Sequence, residues 1–417
     1  MKFLIVNAFH RDDKGDAALL HVLIDQLLVI DPCADISIAS MEDPRVYPTF
    51  YKGHNVGSFE FQSSSHAHRA PWHIFFKVYI YMALRIVAVM KGRCTWLFFG
   101  ELKKVYDACR SADLVVSVGG GYFITKKDGL DSPMHLVFAL QTLALCKAIG
   151  KKVATAPVSV GPFQRKCEGK YAARILAAID LVLLREAIST KYFLDKRGML
   201  AANIRQVPDS AFAFLPEGVF SLREVAGATE GERVLALAVR NWMTADKQRI
   251  YEQAHADLID HIAVYYPDIK VVFVPQCTFP HAGDDDRIVA RNIIALSRSK
   301  RAVAIEKVLD YKEVKLAYEH ADFVVGTRFH SMVFSLSYLV PGIAIEYEHK
   351  TRGIMRDLGL EEWVLRIDTI TSKELIVKFD ALVGRKSLYK EYLAEVMPRY
   401  KAASEEAVTL FSQLLSK

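Results

Sequence analysis

The sequence predicts an α/β protein built from two Rossmann-like domains facing one cleft, and three observations carry that prediction. Short β-branched runs alternate along the chain with longer segments of helical period, the pattern of doubly wound α/β domains. The runs fall into two sets, divided by Pro216-Glu217-Gly218 and Gly227-Ala228-Thr229-Glu230-Gly231-Glu232, which carry turn residues and little apolar content. At 417 residues the chain also exceeds what one core usually supports; a rule of roughly 100–200 residues per domain suggests two. We therefore expect a first domain over 1–215, a second over 232–386, and a helical segment over 387–417. In bilobal proteins such a last segment commonly crosses back onto the first domain.

In the first domain the expected strands are Phe3–Ala8, Ile36–Ala39, Leu114–Val118, Val153–Val160, Leu181–Leu184 and Ile204–Val207. In the second they are Val234–Val239, Val271–Val274, Val303–Ile305, Phe323–Val325 and Ile343–Ile345. Each is a continuous apolar run, as expected of parallel strands covered on both faces. Residues 41–70 are poor in aliphatic side chains and rich in Pro, Ser, His and Gly, and are expected to form an irregular insertion. The apolar stretch Ile74–Met90 follows it. Lys77 and Arg85 interrupt this stretch, whereas a membrane span needs about 20 nearly uncharged residues. Two readings stay open for it: a buried helix of the first domain, or an interfacial helix whose Tyr, Phe and basic flanks rest on a bilayer.

The net charge of +6 is spread along the chain without a dense Lys/Arg block. That argues against a nucleic-acid binder and permits anionic substrates or an acidic membrane surface. Cys33, Cys94, Cys109, Cys146, Cys167 and Cys277 lie far apart with no C-x-x-C pair, so neither a zinc site nor a disulfide framework is indicated. A reducing cytoplasm fits this usage. The first apolar run, Met1–Val6, is too short for a signal peptide.

The residues with chemistry cluster at strand ends. Phe323-Val324-Val325 closes in Gly326-Thr327, so Arg328 and His330 should emerge at the carboxyl end of a buried parallel strand, where open α/β sheets bind ligands. The helix beginning there adds free N–H groups and a positive dipole end. Lys350 follows the run Ile343–Tyr347 and should emerge on the same sheet edge. The alternative is that Arg328 pairs with a carboxylate and His330 is a packed capping residue. Arg240, at the end of the run Val234–Val239, and Arg185, where Leu183-Leu184 gives way to helix, sit in equivalent positions. Each arginine alone is as well explained by an ion pair. Asn7 ends the first strand; Gly15-Asp16 opens a helix, with Asp16 suited to N-cap it and Gly15 able to approach a phosphate or sugar hydroxyl. Gly119-Gly120-Gly121 after a buried strand lets backbone approach a ligand, or makes a tight turn. A full G-x-G-x-x-G is missing, so dinucleotide binding is not supported.

Taken in order, Asn7 with Gly15-Asp16, Gly119-Gly120-Gly121-Tyr122-Phe123, Ser159-Val160-Gly161-Pro162, Arg185-Glu186 with Ser189, Val207-Pro208-Asp209, Gly326-Thr327-Arg328-Phe329-His330 and Glu346-Tyr347 with Lys350 resemble the polysaccharide pyruvyl transferase family over nearly the whole chain. The resemblance implies a glycosyltransferase-B-like pair of domains, phosphoenolpyruvate as donor with no further cofactor, and a cyclic pyruvate ketal on a saccharide as product, in cell-surface or exopolysaccharide biosynthesis. Two departures are Phe329, where the family often carries leucine, and the insertion at 41–70.

Phosphoenolpyruvate joins a carboxylate and a phosphate on one enol carbon, and arginines bind both groups through forked, charge-assisted hydrogen bonds. His330 is assigned as general acid, since a histidine titrates near neutrality. Arg328 and Arg185 are assigned to phosphate or carboxylate and Lys350 to the leaving phosphate. Arg240, Gly119, Gly120, Gly121, Asn7, Gly15 and Asp16 complete the expected substrate contacts. The scheme requires no metal. The acceptor is a saccharide, and one carried on a polyprenyl diphosphate would suit an interfacial 74–90 helix. Two alternatives share the architecture: a nucleotide-sugar glycosyltransferase using the same cleft, and an inactive saccharide-binding subunit of a membrane-associated complex.

Overall fold

The computed structural model describes residues 1–42, 52–59, 73–125, 131–190, 202–279 and 284–417. The chain forms two compact units: one of Met1–His10, Leu19–Ser210 and Ala403–Lys417, the other of Arg11–Ala18 and Ala211–Ala402.

Unit 1 is built on two parallel sheets. The larger has the order β3-β2-β1-β4-β6, from β1 (Lys2–Ala8), β2 (Asp35–Ser40), β3 (His54–Asn55), β4 (Leu114–Ser117) and β6 (Lys152–Thr155). Phe3 is in register with Ile36 on one side and Leu114 on the other. Leu4, Ile5 and Val6 are sealed from water, as continuous apolar strands covered on both faces must be. The smaller sheet has the order β5-β7-β8-β9, from β5 (Gly120–Phe123), β7 (Val158–Val160), β8 (Val182–Leu184) and β9 (Ile204–Gln206). A parallel bridge between Ala154 and Leu181 connects the two sheets.

Two expectations are corrected here. The single run Val153–Val160 is two strands in different sheets, because Pro157 lacks the N–H that a continuous ladder needs. The triple glycine is not a loop open to ligand: Gly120 and Gly121 lie in β5, and a Cβ on Gly119 would stand 2.9 Å from the Pro157 carbonyl oxygen. Of the expected insertion 41–70, residues 43–51 and 60–70 lie outside the described residues. Within 52–59 β3 pairs parallel to β2 and Phe59 is buried against Phe98, ring centroids 5.3 Å apart.

Unit 2 carries one six-stranded parallel sheet, in the order β14-β11-β10-β15-β16-β17. These are β10 (Arg233–Ala238), β11 (Ile269–Phe273), β14 (Ala302–Ala304), β15 (Phe323–Gly326), β16 (Gly342–Glu346) and β17 (Val364–Arg366). Counted within the unit this is 3-2-1-4-5-6, the Rossmann order, whose switch point falls between β10 and β15. A short antiparallel pair, β12 (Thr278–Phe279) with β13 (Asp284–Asp285), sits beyond β11. The sequence did not signal these two-residue strands, nor β17.

The division falls after Ser210, upstream of the turn-rich 216–232 stretch. Lys315, fully buried in unit 2, explains why: its Nζ donates to the carbonyls of Ala211, at 3.1 Å, and Phe214. Arg11–Ala18 joins unit 2 because Lys14 N–H donates to Gln276 O at 3.0 Å and Asp13 bridges to Cys277. The closing segment divides as well. The helix Lys386–Ser404 lies almost wholly within unit 2, and Glu406–Ser416 packs on unit 1, where Lys152 Nζ donates to Leu415 O at 2.8 Å. Among the described residues no helix is long and apolar enough to cross a membrane.

Candidate active site

In unit 2 the side chains that follow β10 and β15 meet at the switch point. Thr327 N–H donates to Ala238 O at 2.7 Å, fixing where the chain leaves β15. Arg328 then occupies the N-cap position of the helix Phe329–Ser337. Its guanidinium does not reach out toward an anion. Nε and Nη2 donate to Asp286 at 3.0 and 2.6 Å, and Nη2 also donates to Asp284 Oδ1 at 2.5 Å. Burial raises the Asp286 carboxyl against the opposing pull of Arg328. Asp284 goes the other way: despite burial, Arg328 and Arg240 hold its carboxyl below the usual range. Asp286 is held further by the N–H groups of Gln276 and Cys277, at 3.0 and 2.9 Å. The expected anion contact of Arg328 is therefore corrected: its fork is filled by two carboxylates of its own chain.

Arg240 is the contrasting cation. It lies just past β10, only 6% exposed, with its guanidinium carbon 4.3 Å from the Trp242 ring centroid and 4.2 Å from that of Tyr347. Its Nη2 stands 3.7 Å from Asp284 Oδ2, and its Nε has no hydrogen-bond partner among the described residues. Leaving a buried guanidinium donor unsatisfied is costly. Lys350 shares one of those rings, with Nζ 5.1 Å from the centroid of Tyr347 and 5.6 Å from that of Phe329, and it pairs with Glu348 at 2.9 Å.

His330 completes the group. Its ring meets Phe329 edge-on at 5.0 Å and packs on Phe334 at 5.8 Å. Gly15 lies directly against it: a Cβ there would fall 1.8 Å from His330 Nδ1. Gly15 thus serves the site as an imidazole cradle at the start of the helix Lys14–Ile30. Asp16 is not that helix's cap. Asp13 fills the role, its Oδ1 accepting the N–H groups of Gly15 and Asp16 at 3.1 and 3.3 Å; the helix begins at Lys14, so Asp16 falls at the third helical position. An open cavity of about 620 Å³ adjoins the cluster, lined by Trp242, Tyr347, Glu346, Arg352, Arg366 and Asp368 among others.

The remaining expected residues belong to unit 1, where Arg185 is sealed in the interior and Asn7 is half-buried. Arg185 is 1% exposed; Nε donates to Ser159 Oγ and Nη1 to Asp209 Oδ2, each at 2.7 Å. Glu186 beside it is pushed up to about 7 by burial, with Ser189 Oγ donating to its carboxyl at 2.5 Å. Ser189 Oγ in turn accepts Val160 N–H at 2.9 Å. The expected donor contact of Arg185 is corrected accordingly, since a sealed guanidinium paired with a carboxylate has no face left for substrate. Asn7 takes a left-handed backbone, φ 59°, and its amide donates to Ser117 Oγ at 2.8 Å.

The polysaccharide pyruvyl transferase family matches residues 13–349. The chain belongs to that family. It is a polysaccharide pyruvyl transferase, and it is 25% identical over 424 residues, covering 95% of each chain, to the amylovoran biosynthesis protein AmsJ of Erwinia amylovora. Its fold is shared with the UDP-GlcNAc 2-epimerase of Neisseria meningitidis bound to UDP-GlcNAc (TM-score 0.60, 10% identity, all of both chains). The sucrose-phosphate synthase of Thermosynechococcus elongatus is similar to the same degree (TM-score 0.60, 10% identity, all of both chains). These likenesses establish a glycosyltransferase-B-like architecture of two Rossmann-like domains. In this transferase the Gly326–His330 motif and Lys350 fall in the unit 2 cluster, while the Ser159, Arg185 and Asp209 motifs build the unit 1 interior. Sequence reasoning missed Asp284 and Asp286; it had Tyr347 as part of a motif, but not the pairing of that ring with Trp242 around Arg240. The run Asp284-Asp285-Asp286 was the available signal for the first two, since consecutive carboxylates near buried strands require cationic partners.

Proposed function

We propose that the unit 2 cluster binds phosphoenolpyruvate and transfers its carbon skeleton to a saccharide diol as a cyclic ketal. The observation that carries this reading is Arg240, a buried guanidinium with an N–H unmatched among the described residues, held between two rings, one of which, Tyr347, it shares with Lys350. Arg240 takes the donor carboxylate or phosphate, and Lys350 exchanges Glu348 for the leaving phosphate. Arg328 acts as a positioning residue: locked to Asp284 and Asp286, it sets the start of the helix that presents His330.

The chemistry closes on these groups. His330 delivers a proton to the donor methylene carbon, leaving a cation at the carbon that bears the carboxylate and the phosphate. One saccharide hydroxyl attacks that carbon and gives its proton back to the imidazole. The C–O bond to phosphate then breaks as the imidazolium passes its proton to the departing oxygen, so that phosphate leaves as the hydrogen-phosphate dianion beside the Lys350 ammonium, and a second hydroxyl closes the ring, giving its proton to the imidazole and restoring the acid. One phosphoenolpyruvate and one diol yield one ketal and one inorganic phosphate. The cavity beside Trp242 suits the acceptor, because aromatic faces cover the apolar side of a sugar ring while Glu346, Arg352 and Asp368 offer partners to its hydroxyls.

This reading places the enzyme in the cytoplasm, where the donor is made, in exopolysaccharide assembly, with an acceptor on a lipid carrier at the inner membrane face. The test is incubation of the purified chain with phosphoenolpyruvate and candidate glycans, following phosphate release and, by mass spectrometry, pyruvate on the glycan. Equimolar appearance of both supports the reading; turnover with a nucleotide sugar in place of phosphoenolpyruvate would sink it.

A further inference from the structure

The helix His73–Val89 of unit 1 buries one face through Ile80, Ala83, Leu84 and Val87. Its opposite face is also apolar. Phe75, Val78, Met82, Ile86 and Val89 are 69, 49, 48, 39 and 74% exposed, and their spacing traces one stripe along a helix. A helix on a soluble surface ordinarily turns charge outward there. The stripe continues into the next turn, where Phe99 and Trp96 are exposed and the Phe99 ring lies 6.0 Å from Tyr79. Neither sequence reading of this segment describes it fully, since one face is core and the other is presented to solvent.

The charge around the stripe selects what covers it. Arg85, Lys91 and Arg93 are exposed and Lys77 half-buried beside it, and no Asp or Glu stands between Glu60 and Glu101. Apolar and aromatic side chains flanked along the chain by cations are complementary to an anionic bilayer surface, where rings sit at headgroup depth and Lys and Arg meet lipid phosphates. The helix is too short and too charged to span, so it lies along the surface. We propose that this face docks unit 1 on an anionic membrane, with the helix axis parallel to the bilayer and the Phe75-to-Val89 stripe inserted at the headgroup boundary. The inference goes beyond the proposed reaction and does not depend on it.

The test is sedimentation of the full chain with vesicles of phosphatidylcholine alone or with added phosphatidylglycerol, over a range of salt. Binding is expected only with the anionic lipid and should fall as salt rises. Replacing Arg85, Lys91 and Arg93 by Gln should weaken it roughly fivefold per charge removed. The combined Val78→Ser, Met82→Ser and Ile86→Ser variant should lose vesicle binding while staying folded with a modestly lowered thermal midpoint, because about half of each side chain already faces water. Three outcomes overturn the proposal: no sedimentation at any salt, equal binding by the serine variant, or an oligomer that the serine variant dissociates without any vesicle binding, which would assign the face to a second copy of the chain.

Discussion

Both units end parallel strands in arginines that look alike in sequence, yet the two sets of guanidiniums do different work. In unit 1, Arg185 is sealed between Ser159 and Asp209, with Glu186 and Ser189 completing a buried polar network. In unit 2, Arg328 is sealed in the same manner by Asp284 and Asp286, but Arg240 a few ångströms from Asp284 keeps a donor unmatched. A buried ion pair contributes little net stability and costs much when halved. It organises the backbone. On the proposed reading, chemistry belongs to the cation left incomplete, not to the one most deeply paired.

The comparison can be broken most forcefully at His330. His330→Ala is expected to lower turnover by roughly 10²–10⁴, the usual worth of a general acid, with phosphoenolpyruvate affinity much less affected. Gly15→Ala should reproduce the defect, since its Cβ would collide with Nδ1; steady-state kinetics on both variants checks this, and an active Gly15→Ala enzyme would dismiss the cradle. Next in size, Arg185→Met should destabilise the fold by about 3–5 kcal/mol by stranding Asp209. Per folded molecule its turnover should match wild type, as denaturant titration and active-site-normalised rates would reveal.

Arg240→Gln should show the reverse pattern. The fold loses the 3.7 Å contact with Asp284 and the two ring contacts but no hydrogen bond at Nε among the described residues, while the KM for phosphoenolpyruvate rises by about 10–100-fold, the worth of charge-assisted bonds to an anion. Smallest is a pH effect at Glu186. Burial lifts its carboxyl to about 7, above the ordinary value of about 4.3, so the folded state holds a proton the unfolded state releases. Its contribution to stability is fully present at low pH and is lost as pH rises through 7, at up to about 1.4 kcal/mol per pH unit. Glu186→Gln should flatten the stability profile between pH 5 and pH 7; an unchanged slope would mean that another group carries it.

The sheets were legible in the sequence because buried parallel strands are continuous apolar runs, and ten or so such runs alternated with helical segments. What was not legible was short or depended on pairing. His54–Asn55 and Thr278–Phe279 are two residues each and carry no periodicity. Whether the run through Pro157 makes one strand or two is decided by which sheet each half joins. At the site, the types and positions of Arg240, Arg328, His330 and Lys350 could be read from strand ends, but not their partners. Asp284 and Asp286 come from a segment more than forty residues upstream of Arg328, and only the fold brings that distance to zero. Gly15 was visible as a helix-start glycine; its service to a ring 315 positions away was not.

The central claim is that an anion enters at Arg240. Calorimetric titration of phosphoenolpyruvate into wild type, Arg240→Gln and Arg185→Met tests it most directly. The account predicts binding to wild type and to the folded fraction of Arg185→Met, and loss of at least about tenfold in affinity for Arg240→Gln. Undiminished binding to Arg240→Gln, or binding abolished in folded Arg185→Met, would contradict it and move the donor site to unit 1.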